Sequence, residues 1–516
     1  MSSLSSVDLA IVAAYIAGMT LFGVWFTRKQ KDLRTYFVGG RNVGWFLVVM
    51  SIVATETSAV TFLSVPGLGY SPGLPEKGIP PGNLTFLQLS FGYILGRCLI
   101  AWFLLPQYMR GDLFSAYQVL RHRFSPAVQR VASGLFLVTR TIADGLRLFL
   151  TALLIKHIGV TIEAAIVVTG VVTIVYTYLG GMKAVIWTDV IQFLIKITGA
   201  ALAGVFILYL LPGGWDAFVS GGEAAGKFKL FEWSLDPASD ANFWAGLFGG
   251  AVFSMASHGA DQLMVQRYLC AKSLSQARLA LVLSGFVIFV QFLLFLSVGV
   301  GMYLLREAGQ FSEAYGAASN DEVFGLFIVK RLPHGVVGIL VAAVLAAAMS
   351  TLSSSLNSSA NAFVTDFYRP LRPNHSEKWY VGLSRVMTAA WGIAQMGVAY
   401  TAHRLGSDES IVKRVLAVAG FTMGLLLGLF ILGSLRTRVR SSAALVGLVC
   451  GFLAVFLVWL PSTGVTKELS WVPTRYSKPV LSWPWFAPLG AGTTVIVALL
   501  LNAIQSRARS EALRAE

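Results

Sequence analysis

About thirteen apolar runs, each close to 20 residues long, divide almost the whole of this 516-residue chain. A helix of that length crosses the hydrocarbon core of a bilayer and satisfies its own backbone hydrogen bonds there. The runs therefore predict an all-α polytopic membrane protein with about thirteen transmembrane helices. They span residues 8–27, 43–65, 87–108, 130–155, 161–179, 185–211, 242–262, 277–304, 336–364, 379–402, 412–433, 441–461 and 485–504.

The composition excludes several classes of protein. The chain is 56% hydrophobic and only 13% charged, which a soluble domain cannot bury. The net charge of +15 does not indicate nucleic-acid binding, because the basic residues lie in short loops between apolar runs, as the positive-inside rule describes. The three cysteines are odd in number and lack metal-like spacing, so no disulfide framework or metal cluster is expected.

The basic residues also predict the orientation, because loops rich in Lys and Arg face the cytoplasm. The loops after every second apolar run are basic, which puts the N-terminus outside and the C-terminus in the cytoplasm. We expect a multi-pass protein of the plasma membrane, here a bacterial inner membrane, in contact with lipid and monomeric or weakly oligomeric. The residues concerned include Arg28, Lys29, Arg41, Arg110, Arg123, Lys183, Arg267, Lys272, Arg278, Arg369, Arg436 and Arg507.

The run 336–364 carries a polar stripe at helical spacing. Buried hydroxyls in a spanning helix let neighbouring helices pack closely, or they offer neutral oxygens to a cation or solute at the membrane midplane. The sequence alone leaves both uses open. The stripe consists of Ser350, Ser353, Ser354, Asn357, Ser358 and Asn361.

Two runs that lie five spans apart are interrupted by polar or helix-breaking residues. The second run contains Glu56 and then Pro66, and the seventh contains His258 and Asp261. A pair of interrupted helices at matching positions of two halves is typical of transporters built from inverted repeats, since broken helices expose carbonyls that bind ions and solutes. The alternative is a pair of merely kinked helices.

Four segments, in their order along the chain, resemble segments of the solute:sodium symporter family. This family includes members that transport sialic acid, proline or sugars. The segment 180–192, GGMKAVIWTDVIQ, is similar to the hallmark of the family. Segments 54–67, 260–272 and 349–353 look like its first, sixth and eighth core helices. The resemblance covers nearly the whole chain.

The resemblance implies a leucine-transporter-like fold with a core of two inverted five-helix repeats. Residues 1–42 would form an extra N-terminal helix and the first cytoplasmic loop. Residues 43–211 would form the first repeat, with core helices 1–5, and residues 212–440 the second, with core helices 6–10. Residues 441–516 would form two C-terminal helices and a cytoplasmic tail.

The resemblance also implies one or two sodium sites. The shared site of the family corresponds here to Ala54, Thr57, Ala347, Ser350 and Thr351. Neutral oxygens suit sodium, because it is a hard cation and they bind it without a buried anion. A second site of some members corresponds to Asp189, Ser350, Ser353 and Ser354. The alternative for Asp189 is a helix-capping or snorkelling carboxylate.

The candidate solute site contains buried charges. Arg140, Asp144 and Arg147 share one helix face, and one aspartate leaves one positive charge for a carboxylate ligand to complete. The alternative is a structural ladder whose missing partner is Glu163, Glu56 or a lipid phosphate. Glu56 is itself a candidate for cation attraction, solute binding or proton transfer, or else for a structural hydrogen bond. Further candidates are Ser58, Thr61, Gln88, Ser257, His258 and Phe421.

These features together predict a sodium-coupled symporter that imports a small organic solute by alternating access. An organic anion, such as a monocarboxylate or a sialate-like acid, is the preferred solute, followed by an amino acid and then a sugar. A proton-coupled symporter of the same fold is the alternative. No catalytic motif has a supporting context, so we do not expect an enzyme.

Overall fold

The computed structural model describes residues 4–25, 32–73, 81–110, 113–156, 160–313, 320–405, 411–463 and 480–515. Within these ranges the chain is a bundle of helices, with one isolated bridge between Val43 and Ala271 and no β-strand. The longer helices are α1 (Ser6–Trp25), α2 (Trp45–Glu56), α3 (Ala59–Tyr70), α4 (Gln88–Leu99), α5 (Pro126–Lys156), α6 (Ile162–Leu210), α7 (Gly214–Ala224), α8 (Gly250–Gly259), α9 (Gln262–Leu269), α10 (Leu274–Glu307), α11 (Asn320–Arg331), α12 (Val336–Ala362), α13 (Glu377–Leu405), α14 (Ile411–Ser434), α15 (Ser441–Trp459) and α16 (Phe486–Ala515).

Every predicted apolar run coincides with helix in the described residues, which confirms the all-α membrane fold. By length and composition, 7 helices of the described chain can cross a membrane, or up to 8 if the bent pair α2 and α3 forms one span. The number of thirteen crossings stays a prediction. Residues 305–335, predicted as an outer loop, contain α11, whose Phe324 packs against Phe62 with ring centroids 5.5 Å apart.

The second apolar run is broken between α2 and α3. The two helices meet at 67°, and Thr57 between them has non-helical angles of φ −78° and ψ 78°. Helical hydrogen bonding stops there, so carbonyl groups near the end of α2 need other partners. The interruption predicted from the polar residues of this run is therefore a true break.

The seventh run is broken between α8 and α9. Asp261 is extended at φ −93° and ψ 124°, and its carboxylate accepts a hydrogen bond of 2.9 Å from the Leu263 backbone N–H. An aspartate in this position caps the new helix and favours its start. Both predicted interruptions are present, while the division of the chain into two inverted repeats stays a prediction.

The long helix α6 contains the fifth and sixth predicted runs. They meet at Gly181, whose φ of 58° and ψ of −170° interrupt the helix. Residues with a side chain rarely adopt a positive φ, so glycine is favoured at this interruption of the helix. The second half of α6 then runs along α2 and α12 towards the centre of the bundle.

The central helix is α12, which packs against α6, α1, α13 and α5. Its polar stripe is buried from Ser350 to Asn361. Some of these side chains join helices, as when Gln266 Nε2 on α9 donates to Asn357 Oδ1 at 2.8 Å. Others, such as Ser350, face the break between α2 and α3. Packing between helices is therefore observed, and binding of a cation or solute by the stripe stays a prediction.

Candidate functional site

The five residues expected at the shared sodium site lie together where α12 passes the end of α2. Ser350 Oγ donates to the Ala54 carbonyl at 3.0 Å, and Thr351 Oγ1 donates to the Thr55 carbonyl at 2.9 Å. Both hydroxyls also approach the Ala347 carbonyl, at 3.2 and 3.4 Å. The break therefore brings carbonyl and hydroxyl oxygens to one point, as a neutral cation site requires.

A lysine that the sequence analysis did not select lies among these oxygens. Lys196 comes from the second half of α6 and is fully buried. Its Nζ donates to the Ala54 carbonyl at 2.6 Å, to the Thr57 carbonyl at 2.9 Å and to Ser350 Oγ at 3.2 Å. Three of the predicted sodium ligands thus surround an ammonium group of the protein itself.

The second candidate site also contains a basic side chain. Asp189 Oδ2 accepts from Ser51 Oγ at 2.6 Å and lies 3.0 Å from the guanidinium of Arg267. The same Arg267 nitrogen donates to Ser354 Oγ and to Thr55 Oγ1. Arg267 is buried in α9, although its position after an apolar run had suggested a cytoplasmic loop.

The remaining oxygens of the second candidate site do not bond to Arg267. Ser353 Oγ bonds back to the Ser350 carbonyl at 3.2 Å, within its own helix. Asp189 Oδ1 is buried and has no hydrogen-bond partner in the described part of the chain. The structure thus brings Asp189 and Ser354 together around Arg267.

A partly open cavity of about 130 Å³ adjoins the shared site. Thr351 belongs to both, since it bonds to the Thr55 carbonyl and also lines the cavity. The candidate cation site and the cavity are therefore adjacent through one side chain. Seven predicted solute residues line the cavity: Glu56, Ser58, Thr61, Arg140, Arg147, Ser257 and His258.

The positive charges of Arg140 and Arg147 on α5 are neutralised by more carboxylates than the sequence predicted. Arg140 forms an ion pair with Asp261, the residue that caps α9, and lies 3.7 Å from Asp144. Arg147 forms an ion pair with Asp144. Two carboxylates therefore face two guanidinium groups, and the expected surplus positive charge is not there. The partner was missed because Asp261 lies 121 residues from Arg140 in the sequence.

Of the two arginines, Arg147 is nevertheless the one that has a buried nitrogen without a hydrogen-bond partner among the described residues. Its side chain is 15% exposed and lines the cavity, and its Nε has no hydrogen-bond partner among the described residues. Asp144 Oδ2 likewise has no partner in that part of the structure. A buried donor without a partner costs free energy, which a carboxylate ligand would recover.

Glu56 lines the cavity and belongs to a charge cluster with the buried residues Arg97 and His258. It forms an ion pair with Arg97 of α4, and its Oε2 lies 3.4 Å from Nε2 of His258. Arg97 also donates to Ser284 Oγ at 2.7 Å. Glu56 therefore makes the structural contacts that the sequence analysis gave as one alternative, because this cluster joins α2, α4, α8 and α10.

The structure does not place the two remaining solute candidates at the cavity: one lies elsewhere, and the side chain of the other is not described. Gln88 lies apart from the cavity, because its Nε2 donates to the Thr85 and Ala241 carbonyls at 2.9 and 3.0 Å. The Phe421 side chain lies outside the described residues. Conversely, Arg97, Lys196 and Arg267 were missed, although a charged residue within an apolar run is itself a signal of function or pairing.

The fold and these sites define a class of protein. A membrane-spanning helical bundle has two broken helices, oxygens that hold the Lys196 ammonium at one break, and a partly open cavity beside it. Such an arrangement is typical of secondary transporters, in which half-helices meet at the binding site.

The sequence pattern of the Sodium:solute symporter family matches residues 36–451, and the chain belongs to this family. It is a multi-pass membrane protein of the sodium-coupled symporter class, with sodium and a small solute as its partners. The sodium/sialic acid symporter NanT of Aliivibrio fischeri is 28% identical over 464 residues, covering 88% of each chain. The human sodium-coupled monocarboxylate transporter 1 is 28% identical over 451 residues, 86% of this chain and 72% of that protein.

A solved structure supports the fold. A Na⁺-coupled sialic acid symporter in a substrate-bound outward-open state superposes with a TM-score of 0.83 at 26% identity, over 97% of this chain and 98% of that one. The leucine-transporter-like architecture predicted from the family resemblance is thereby confirmed.

Proposed function

We propose that this chain imports a small organic acid together with sodium, and that Arg147 holds the carboxylate of the solute. The observation that carries the proposal is the Nε of Arg147 at the wall of the cavity, which has no hydrogen-bond partner among the described residues. A planar guanidinium binds carboxylates through two parallel hydrogen bonds. Arg140, which is held by Asp261, contributes positive potential on the same wall.

The size of the cavity favours a short acid over a large one. Its volume of about 130 Å³ lies well below the several hundred Å³ typical of sites for drug-sized ligands. The apolar part of the wall, with Phe86, Phe253 and Phe292, suits a short hydrocarbon chain. We therefore place monocarboxylates before a sialate-like acid, and amino acids and sugars after both.

The relatives give independent support for an anionic solute. One is a transporter of sialic acid and another of monocarboxylates. Both solute classes carry a carboxylate, for which arginine is the matching side chain. Transport of such solutes, rather than catalysis, is the proposed role.

Sodium would bind at the oxygens of Ala54, Thr57, Ala347, Ser350 and Thr351. A cation there bridges the break of α2 and α3 to α12, so it would stabilise one arrangement of these helices over another. Each sodium ion that enters down the membrane potential supplies about 2.3 kcal/mol per 100 mV. The residue Thr351, shared with the cavity, would transmit cation binding to the solute site.

The basic loops support the proposed orientation, with the N-terminus outside and the C-terminus in the cytoplasm. Basic residues from four predicted cytoplasmic loops surround one wide opening of about 920 Å³ at the same end of the bundle. A bacterial inner membrane is the proposed location. The residues are Arg41, Arg110, Arg123, Lys272, Arg278 and Arg436.

The test is uptake by proteoliposomes that contain the purified protein. Radiolabelled short monocarboxylates, sialic acid, an amino acid and a sugar are offered under an inward sodium gradient, with a potassium gradient as control. We expect accumulation of a short acid under sodium alone. Arg147→Met should raise its half-saturation constant at least about tenfold, since a charge-assisted hydrogen bond contributes about 1.5–3 kcal/mol.

The matched control is Arg404→Met, which removes an exposed arginine at the end of α13. It should leave uptake unchanged. Sodium-driven uptake of a neutral sugar with no uptake of any acid would contradict the proposed solute class, as would full acid uptake by Arg147→Met.

A further inference from the structure

The ammonium group of Lys196 takes the place that the shared site offers to sodium. Its three hydrogen-bond partners are the Ala54 and Thr57 carbonyls and Ser350 Oγ, at 2.6, 2.9 and 3.2 Å. An ammonium has three N–H donors, and here each has an acceptor. The site is therefore filled by a cation that belongs to the chain.

The surroundings of Lys196 are those of a bound cation and not of an ion pair. Among the described residues, no carboxylate oxygen lies within 4.0 Å of its Nζ. Asp189 is seven residues earlier on α6, about 10 Å along the helix axis. The oxygens in direct contact with the ammonium are all neutral, as they would be around sodium.

The lysine makes the same connection that we propose for sodium. It joins the break between α2 and α3 to α12, and it anchors both to α6. Two positive charges bound to the same oxygens would repel strongly in a dry site. We propose that the Lys196 ammonium is a tethered competitor of sodium, so that the two cations exclude each other at the shared site.

This inference rests on the proposed sodium-coupled function, because it concerns the ion that drives transport. It implies that sodium enters only after the side chain of Lys196 leaves Ala54 and Thr57. Sodium would then bind more weakly to this protein than to the same protein without the lysine, and Lys196 would set the sodium concentration at which the carrier works.

The experiment measures binding of ²²Na⁺ to the purified full-length protein at one fixed pH. Lys196→Met keeps a long side chain and removes the charge, and Lys196→Gln provides a second neutral variant. We expect the half-saturation concentration of sodium to fall about tenfold or more in both. Adding Ser350→Ala to Lys196→Met should abolish the gain, since it removes a ligand of the same site.

The matched control is Lys227→Met. Lys227 is another buried lysine, and its Nζ donates to the Gly69, Tyr70 and Ser71 carbonyls at 3.3, 3.1 and 2.8 Å, at the end of α3. Its removal should leave sodium affinity unchanged. Unchanged sodium affinity in a folded Lys196→Met protein would overturn the inference, as would an equal gain in the Lys227 variant.

A structure of the wild-type protein in saturating sodium decides the matter if neither neutral variant folds. Sodium at the shared oxygens with Nζ displaced supports mutual exclusion, whereas Nζ in place without sodium there would show that sodium does not use this site and would overturn the inference. Sodium and Nζ bound together to the Ala54 and Thr57 carbonyls would refute it. Because these readouts concern sodium alone, they are independent of whether the solute is an organic acid.

Discussion

The guanidinium of Arg267 lies 3.0 Å from the carboxylate of Asp189, and both side chains are buried where four helices meet. The pair joins α9 to α6, and its hydrogen bonds reach Ser51 of α2 and Ser354 of α12. The half-helix that follows the second break is thereby fixed to the helices that carry the cation sites. Any movement of α9 during transport has to rearrange this pair.

Removing one partner of this pair should be far more damaging than removing both. Asp189→Asn leaves the Arg267 charge buried without a counter-charge, which costs about 3–5 kcal/mol of stability. The double variant Asp189→Asn with Arg267→Met should lose less than either single variant, because it leaves no buried charge without a counter-charge. Unfolding in mixed detergent micelles, followed by circular dichroism, measures all three.

The exposed pair Lys229 and Glu232 is the control for this cycle. Water screens its charges, so Lys229→Met should leave the unfolding transition in place. If the losses of the two buried single variants simply add in the double variant, Asp189 and Arg267 do not act as a pair.

The ion pair between Glu56 and Arg97 should also respond to a single neutralisation. Glu56→Gln leaves Arg97 buried with Ser284 and His258 as its remaining partners, so we expect a loss of about 3–5 kcal/mol. Adding Arg97→Met to Glu56→Gln should restore part of the lost stability. If Glu56 serves only this pairing, the double variant keeps sodium-dependent uptake in proteoliposomes. Its complete loss despite restored stability would assign Glu56 a direct part in transport.

The sequence was sufficient for the features that depend on local chemistry. Apolar length identified the helices, and the polar residues around Thr57 and Asp261 identified both breaks. The five residues that the family resemblance assigns to the shared site lie together, because their positions follow from a break and a helical spacing. Their role as sodium ligands stays a prediction. These features need little knowledge of distant contacts.

The partners of the buried charges could not be predicted in the same way. Asp261 pairs with Arg140 across 121 residues, and Lys196 reaches the Ala54 carbonyl across 142. Spacing along one helix cannot identify such partners, since they depend on how helices pack. A count of charges within single runs therefore gave a surplus at Arg140 and Arg147 that the folded chain does not have.

The hydroxyls of Ser350 and Thr351 should be required for sodium dependence. The double variant Ser350→Ala with Thr351→Ala removes two oxygens and leaves the backbone carbonyls. We expect the half-saturation concentration of sodium for uptake to rise at least about tenfold, because each hydrogen-bond-like contact to a charge contributes about 1.5–3 kcal/mol. Uptake in proteoliposomes over a range of sodium concentrations measures it.

Ser358→Ala is the control on the same helix, since its hydroxyl bonds only to the Ser355 carbonyl, at 3.1 Å, among the described residues. This variant should keep the sodium dependence of the wild type. Should uptake by the double alanine variant follow sodium as before, the assignment of the shared site to these hydroxyls would be wrong.

Gly299 allows α10 to pack directly on the backbone of α3. A Cβ at this position would lie 2.0 Å from the Pro66 carbonyl oxygen and 2.9 Å from the Tyr70 backbone nitrogen. Backbone atoms cannot move aside as a flexible side chain can, so Gly299→Ala should destabilise the protein by about 1–3 kcal/mol.

The comparison is Gly382→Ala on α13, where an added Cβ has nothing within 4 Å and the helix gains up to about 1 kcal/mol. The apparent melting temperature should therefore fall for Gly299→Ala and stay level or rise for Gly382→Ala. Equal melting temperatures for the two variants would show that α10 and α3 do not meet at this glycine.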